Sequence, residues 1–208
     1  MTNLLSNYVP EASVVYCQQL WQQYQFTFQV ARPRRTRLGD FRVLPYNRTQ
    51  ITVNANLNPY AFLITYVHEV AHAAVHSQNK SLRRSHIRPH GPVWQTAFQQ
   101  LMQPILNEDV FPKAILQPLR QYLLKPAATT YANPALVMAL RQVDQPQTTN
   151  LSANQVMLRD VSEGRVFQFA KKTFIRGTLR RTRVVCKEVS SGRSYAILAH
   201  ALVEIIIE

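Results

Sequence analysis

The 208-residue chain has only two cysteines, Cys17 and Cys186, and no CxxC pair. Neither a disulfide framework nor a cysteine-bound metal site can be built from so few thiols. No apolar run approaches the ~20 residues that a membrane span needs. The opening residues, Met-Thr-Asn-Leu-Leu-Ser-Asn-Tyr, lack a basic stretch followed by an apolar core, so no secretory signal is expected there. These absences point to a reducing cytoplasm and away from membranes. Acid is scarce too: 11 Asp and Glu stand against 24 Lys and Arg, a net charge of +13. Such an excess suits work on a polyanion, with nucleic acid the first candidate, better than work on neutral peptides alone. A basic surface with no nucleic-acid role is the competing explanation.

What is present reads as an α+β chain. Apolar residues recur at helical spacing over 10–26, and 26–31, 41–45 and 50–57 read as strands. A small sheet of about three strands is therefore expected after the first helix. Asn58 and Pro59 suit the N-cap and first position of a second helix. That helix is apolar on much of its circumference, so it should be buried. Residues 77–91 read as a polar, basic loop, and Pro92 opens another helix that ends by Pro104. Short helical pieces, broken by Pro112 and Pro118, are expected over 105–124. Residues 126–154 read as a linker with one helix at 134–141. From 155 the period becomes that of strands, expected at 165–169, 173–176, 179–187, 194–198 and 201–206, with a hairpin turn at Ser190–Arg193. The expected organisation is a domain over 1–125, a linker over 126–154 and a small β appendage over 155–208.

The second helix carries His68-Glu69-Val70-Ala71-His72, an HExxH pattern. Positions i and i+4 share one helix face, so two imidazoles there can bind one metal ion. The adjacent glutamate can take a proton from a polarised water. A catalytic zinc usually has three protein ligands and one open position. A glycine and a histidine three and six residues beyond His72 would complete one known scheme, but Val75 and Gln78 stand there. His76 lies about 12 Å along the axis from His68, too far to share one ion comfortably. His200 falls in the appendage, and His86 sits among arginines. His90 is the strongest candidate, because it precedes Gly91-Pro92, where a turn runs into a helix.

These residues, in this order, resemble the SprT-like zinc metallopeptidases, the family of the DNA–protein crosslink protease Spartan. The matching pieces are Arg37-Leu38-Gly39, the strand Ile51–Asn54, the Leu57-Asn58 helix start, Tyr66–Ala73, His90-Gly91-Pro92 and Trp94, within roughly residues 12–125. The resemblance implies a minimal zincin-like fold and one catalytic Zn2+. It implies His68, His72 and His90 as ligands, Glu69 as general base, and cleavage of proteins associated with DNA. Many relatives end in a zinc ribbon held by two cysteine pairs. With Cys186 alone, residues 155–208 are expected to be a metal-free β counterpart.

The cations cluster. Between Gly164 and Lys187 there are eight Lys or Arg and no acid, interleaved with Phe167, Phe169 and Phe174. Strand alternation can place the rings in a core and the cations on one face. The residues singled out for phosphate contact are Arg34, Arg35, Arg83, Arg84, Lys171, Lys172, Arg180, Arg181 and Arg183. The expected function is a zinc endopeptidase acting on DNA-bound or crosslinked protein, cytoplasmic and nucleoid-associated, with no membrane partner. The alternatives are a non-proteolytic DNA-binding protein with a structural or regulatory metal, and a peptidase cutting one partner without DNA.

Overall fold

The computed structural model describes residues 4–34, 37–78, 88–130, 133–144, 155–180, 183–199 and 201–206. They form two units, 1–144 and 145–208, each with its own hydrophobic core. Both are built as the sequence pattern suggests: helices around a small sheet first, then strands with one 3-10 turn at Leu158–Asp160.

In the first unit, α1 (Val14–Tyr24) follows a 3-10 turn, and Gln25 caps it in the left-handed region. Three strands then form one sheet in the order β1 (Thr27–Ala31), β3 (Thr49–Asn54), β2 (Gly39–Val43). β1 runs parallel to β3, and β2 runs antiparallel to it with Gly39 opposite Val53. β2 is therefore an edge. β3 stops at Asn54 rather than running to 57, because its partners end there: β1 at Ala31 opposite Asn54, and β2 at Gly39 opposite Val53.

The central helix α2 (Pro59–Gln78) starts as expected: the Asn58 side chain accepts a hydrogen bond from the Ala61 N–H at 2.9 Å. Phe62, Leu63, Tyr66, Val67, Val70 and Ala71 are all fully buried. α2 packs against β2, β3, α1 and α3 (Pro92–Met102). Burial on so many sides explains its all-round apolar sequence.

Two expectations for the rest of this unit need correction. Pro118 does not break the chain; it lies within α4 (Lys113–Leu124). Ala114, whose carbonyl the proline leaves unpaired, is exposed and so can be hydrated. The stripe Ile115, Leu116, Leu119, Tyr122 and Leu123 holds the helix to the core. Nor does a linker begin at 126. Helix α5 (Pro134–Asp144) buries Leu136, Ala139 and Leu140 in the main core, and Asn58 Nδ2 donates to the Leu140 carbonyl at 2.8 Å. The unit runs to Asp144.

The second unit is a six-stranded sheet in the order β4-β9-β5-β6-β7-β8, antiparallel throughout. Its strands are β4 (Gln155–Met157), β5 (Val166–Phe169), β6 (Lys172–Arg180), β7 (Arg183–Glu188), β8 (Ser194–Leu198) and β9 (Leu202–Ile205). The expected strand 179–187 takes in the end of β6 and all of β7 but Glu188, with 181–182 outside the described residues. β6 runs through Gly177, where the register with β7 shifts, and a Cβ there would stand 2.5 Å from the Val185 carbonyl oxygen. A glycine in a strand marks such a close backbone approach. Phe167, Phe174 and Cys186 are buried in this unit's core.

Candidate metal centre

The site grows from the second half of α2. His68 and His72 project from one face, one turn apart, and the ring of His90 meets them from the loop before α3. The Nε2 of His90 lies 3.0 Å from the Nε2 of His68 and 3.0 Å from that of His72. Among the described residues, these three form the one cluster able to hold a metal ion, with ligand atoms within 4.8 Å of one another. Hydrogen bonding among them is an incomplete explanation of this convergence, since a single Nε2–H cannot serve both neighbours well. A cation serves all three. Ligands on one tetrahedral ion with 2.0–2.1 Å bonds stand about 3.3 Å apart, close to the observed spacing.

Electrostatics agrees with ligand chemistry. His68 is pushed down to about 2, first by burial and then by repulsion from His72 and His90. His72 is pushed down to about 4 by burial and by His90, and His90 is lowered by burial. The imidazoles are therefore held neutral, the form that binds metal.

The backbone of His90 is unusual. Arg88, Pro89, His90 and Gly91 make a turn closed by the Gly91 N–H to the Arg88 carbonyl at 3.0 Å. His90 has φ +58°, so with proline before it the turn is of type II. Glycine or asparagine normally fills that left-handed position; here a histidine bears the strain. Gly91 allows a close backbone approach rather than a left-handed turn. Its own φ is −75°, and as the N-cap of α3 it leaves room against Arg88, whose carbonyl oxygen would lie 3.0 Å from an added Cβ.

Trp94, one turn into α3 and 1 % exposed, forms the floor. Its ring centroid is 4.5 Å from that of His68, 4.7 Å from His90 and 5.4 Å from His72, and Phe98 stacks beneath it at 5.0 Å. Its indole N–H donates to the His68 carbonyl at 3.4 Å. Phe41 from β2 stacks on His72 at 6.2 Å.

Glu69 shares the cavity, which has a volume of about 540 Å³. Glu69 is 6 % exposed, and its carboxyl accepts a hydrogen bond from the Phe41 backbone N–H. Burial and then Asp40 push it up to about 8, opposed by Arg34 and that N–H. One wall is the segment Arg37–Phe41 and another is Ala128–Thr130. The second wall comes from residues read as linker. It is tied down where the Pro126 carbonyl accepts from Gln95 and the Ala127 carbonyl from the Tyr122 hydroxyl, at 2.9 and 2.7 Å. Nothing in its Ala-Thr composition signals a wall, because only the tertiary path brings it there.

His76 lies apart from the triad and contacts the Asn47 side chain at 3.2 Å. The candidate phosphate contacts fare unevenly. Arg35, Arg83, Arg84 and Arg181, like His86 and His200, lie outside the described residues. Lys171, Arg180 and Arg183 are exposed. Arg34 is half-buried and donates from Nε to the Asn54 side chain at 2.8 Å, so its Nε is committed inward. Lys172 is paired with Glu188 at 2.6 Å. Arg176, another of the eight cations, is only 9 % exposed, faces Cys186 across the ladder and reaches Glu163 at 3.3 Å. The cations of the second unit thus divide between its two faces.

The described residues therefore define an α+β unit with a three-histidine candidate metal centre, followed by an all-β unit. Compared with models of protein families, with curated proteins and with solved structures, the chain finds no match. No described helix is long and apolar enough to cross a membrane.

Proposed function

We propose that the chain is a zinc-dependent endopeptidase of the SprT-like type, acting in the cytoplasm on proteins bound or crosslinked to DNA. The observation that carries the peptidase reading is one cleft shared by three convergent imidazole nitrogens and a buried glutamate next to the first of them. A structural metal has no use for Glu69, and burying its carboxyl away from water costs free energy; a role in the chemistry accounts for its place there. The open side of the cleft suits a catalytic more than a closed structural site.

Zinc bound there supplies Lewis acidity and makes a water easier to deprotonate. His68, His72 and His90 would hold it as neutral donors. Glu69 accepts the proton of the attacking water and returns it to the leaving amine of the cleaved peptide. Trp94 and Phe41 keep the imidazoles oriented and exclude bulk water from one side. The net charge of +13 supports the DNA association.

The test is Glu69→Gln, assayed on a denatured protein with and without single- and double-stranded DNA. The variant is expected to retain about one zinc per chain and to lose cleavage by at least about 100-fold. Full activity in the variant sinks the assignment. DNA binding without any cleavage by the wild type favours a non-proteolytic binding protein. Cleavage of one partner, indifferent to DNA, favours a dedicated regulatory peptidase.

A further inference from the structure

Gly39 lies in the Arg37–Phe41 wall of the cavity that holds Glu69 and the three histidines. Its φ is not positive, and it pairs in register with Val53 as an ordinary strand residue. Backbone freedom therefore does not explain a glycine here; space does. A Cβ on residue 39 would stand 2.5 Å from Glu69 Oε1, 2.8 Å from Glu69 Cγ and 2.8 Å from Thr65 Cγ2. Every other residue type would displace the carboxylate from its present seat.

The placement of Gly39 is itself fixed. Asn54, 1 % exposed at the end of β3, donates from Nδ2 to the Arg37 carbonyl at 2.9 Å and to the Arg34 carbonyl at 3.2 Å. Its Oδ1 accepts from Arg34 Nε at 2.8 Å, and its N–H donates to the Leu38 carbonyl at 2.8 Å. One buried asparagine, through its side chain and its backbone N–H, thus gathers the carbonyls of Arg34, Arg37 and Leu38 and the guanidinium of Arg34. The chain leaves this clamp directly into Gly39, and two residues later the Phe41 N–H holds the Glu69 carboxylate.

We infer that Gly39 is a positioning residue for Glu69: with no side chain, held by the Asn54 clamp, it lets the carboxylate seat against β2 beside the three histidines. This rests on the peptidase reading for its catalytic consequence. The contact itself can be tested without any cleavage.

The first experiment is a thermal-unfolding cycle on the full chain, with Gly39→Ala made in the wild type, in Glu69→Ala and in Thr65→Ser. Gly39→Ala should lower the midpoint by roughly 2–12 °C in the wild type. In Glu69→Ala the drop should shrink to less than half. An equal drop in both backgrounds, or relief only by Thr65→Ser, overturns the inference. Should Gly39→Ala alone yield no folded protein, recovery on adding Glu69→Ala supports it, and failure of both overturns it. The second experiment compares zinc content and steady-state cleavage. Gly39→Ala should keep one zinc and an unchanged KM while kcat falls about 100-fold, the scale of a ~1 Å misplacement. Undiminished kcat in that variant also overturns the inference. A wild type that cleaves nothing refutes the peptidase reading, and the thermal cycle still decides the contact.

Discussion

His90 joins backbone strain to the candidate metal centre in one residue. Its left-handed φ of +58° is a conformation that glycine adopts at no steric cost, yet a histidine occupies it with its Nε2 3.0 Å from both other imidazoles. A backbone outlier costs about 1–3 kcal/mol and persists where the surroundings enforce it. His90→Gly should therefore leave the metal-free chain at least as stable as the wild type, by thermal unfolding in chelator. Its zinc affinity, by competition with a chromogenic chelator, should fall by more than about 100-fold. A variant that is much less stable without metal would show that His90 is there for packing. His68, Glu69 and His72 were legible because helical geometry alone puts i and i+4 on one face. His90 was legible because His-Gly-Pro announces a turn into a helix. The strain on His90 and the tight seat of Glu69 against Gly39 were not. The strain sits in a four-residue turn that no period reports, and the seat arises where β2 approaches α2, segments distant in sequence.

Individual elements followed their patterns where one face decides and departed where two segments meet. The caps and period of α2 were readable in full, since Asn58 and Pro59 mark its start and apolar residues surround it. Helix α5 is readable as a helix, but its flanks, rich in Pro, Ala and Thr, read as linker, while its value lies in Leu136, Ala139 and Leu140 meeting the main core. A chain ending at Asp144 should accordingly melt cooperatively by circular dichroism. One ending at Leu124 should lose cooperative unfolding, since removing even a single buried leucine costs about 2–5 kcal/mol. The β5–β6 hairpin offers a second test. Its two central residues, Ala170 and Lys171, have φ of +49° and +64°, and the strands pair Phe169 with Lys172. That is the type I′ geometry normally given to Asn-Gly. Ala170→Asn with Lys171→Gly should stabilise the second unit by about 1 kcal/mol, read from denaturant midpoints at unchanged slope. No gain, or a loss, would mean that the present side chains hold the turn by contacts that offset the strain.

For the whole molecule, the distribution of charge matters more than its total. Residues 1–144 carry 14 basic and 6 acidic residues, +8, while residues 145–208 carry 10 and 5, +5. The sequence drew attention to the later unit, where eight cations fall between Gly164 and Lys187 without an acid. Acids from outside that window change the balance: Glu188 pairs with Lys172, and Glu163 with Arg176. The alternation that buries Phe174 points Arg176 the same way, so linear clustering overstated the free positive face. The first unit holds the larger excess and the candidate metal centre together. If DNA association follows this distribution, removing residues 145–208 should weaken it without abolishing it. Binding to a single-stranded oligonucleotide, measured by fluorescence anisotropy between about 50 and 200 mM salt, should give straight lines of log affinity against log salt. For single strands the slope is about −0.7 per phosphate contact, so loss of Lys171, Arg180 and Arg183 alone would reduce it by about 2. The chain ending at Asp144 should keep a clear salt slope and the full zinc content. Complete loss of binding on that truncation would assign the polyanion contact to the β unit. An unchanged slope would assign it to the unit that carries His68, His72 and His90.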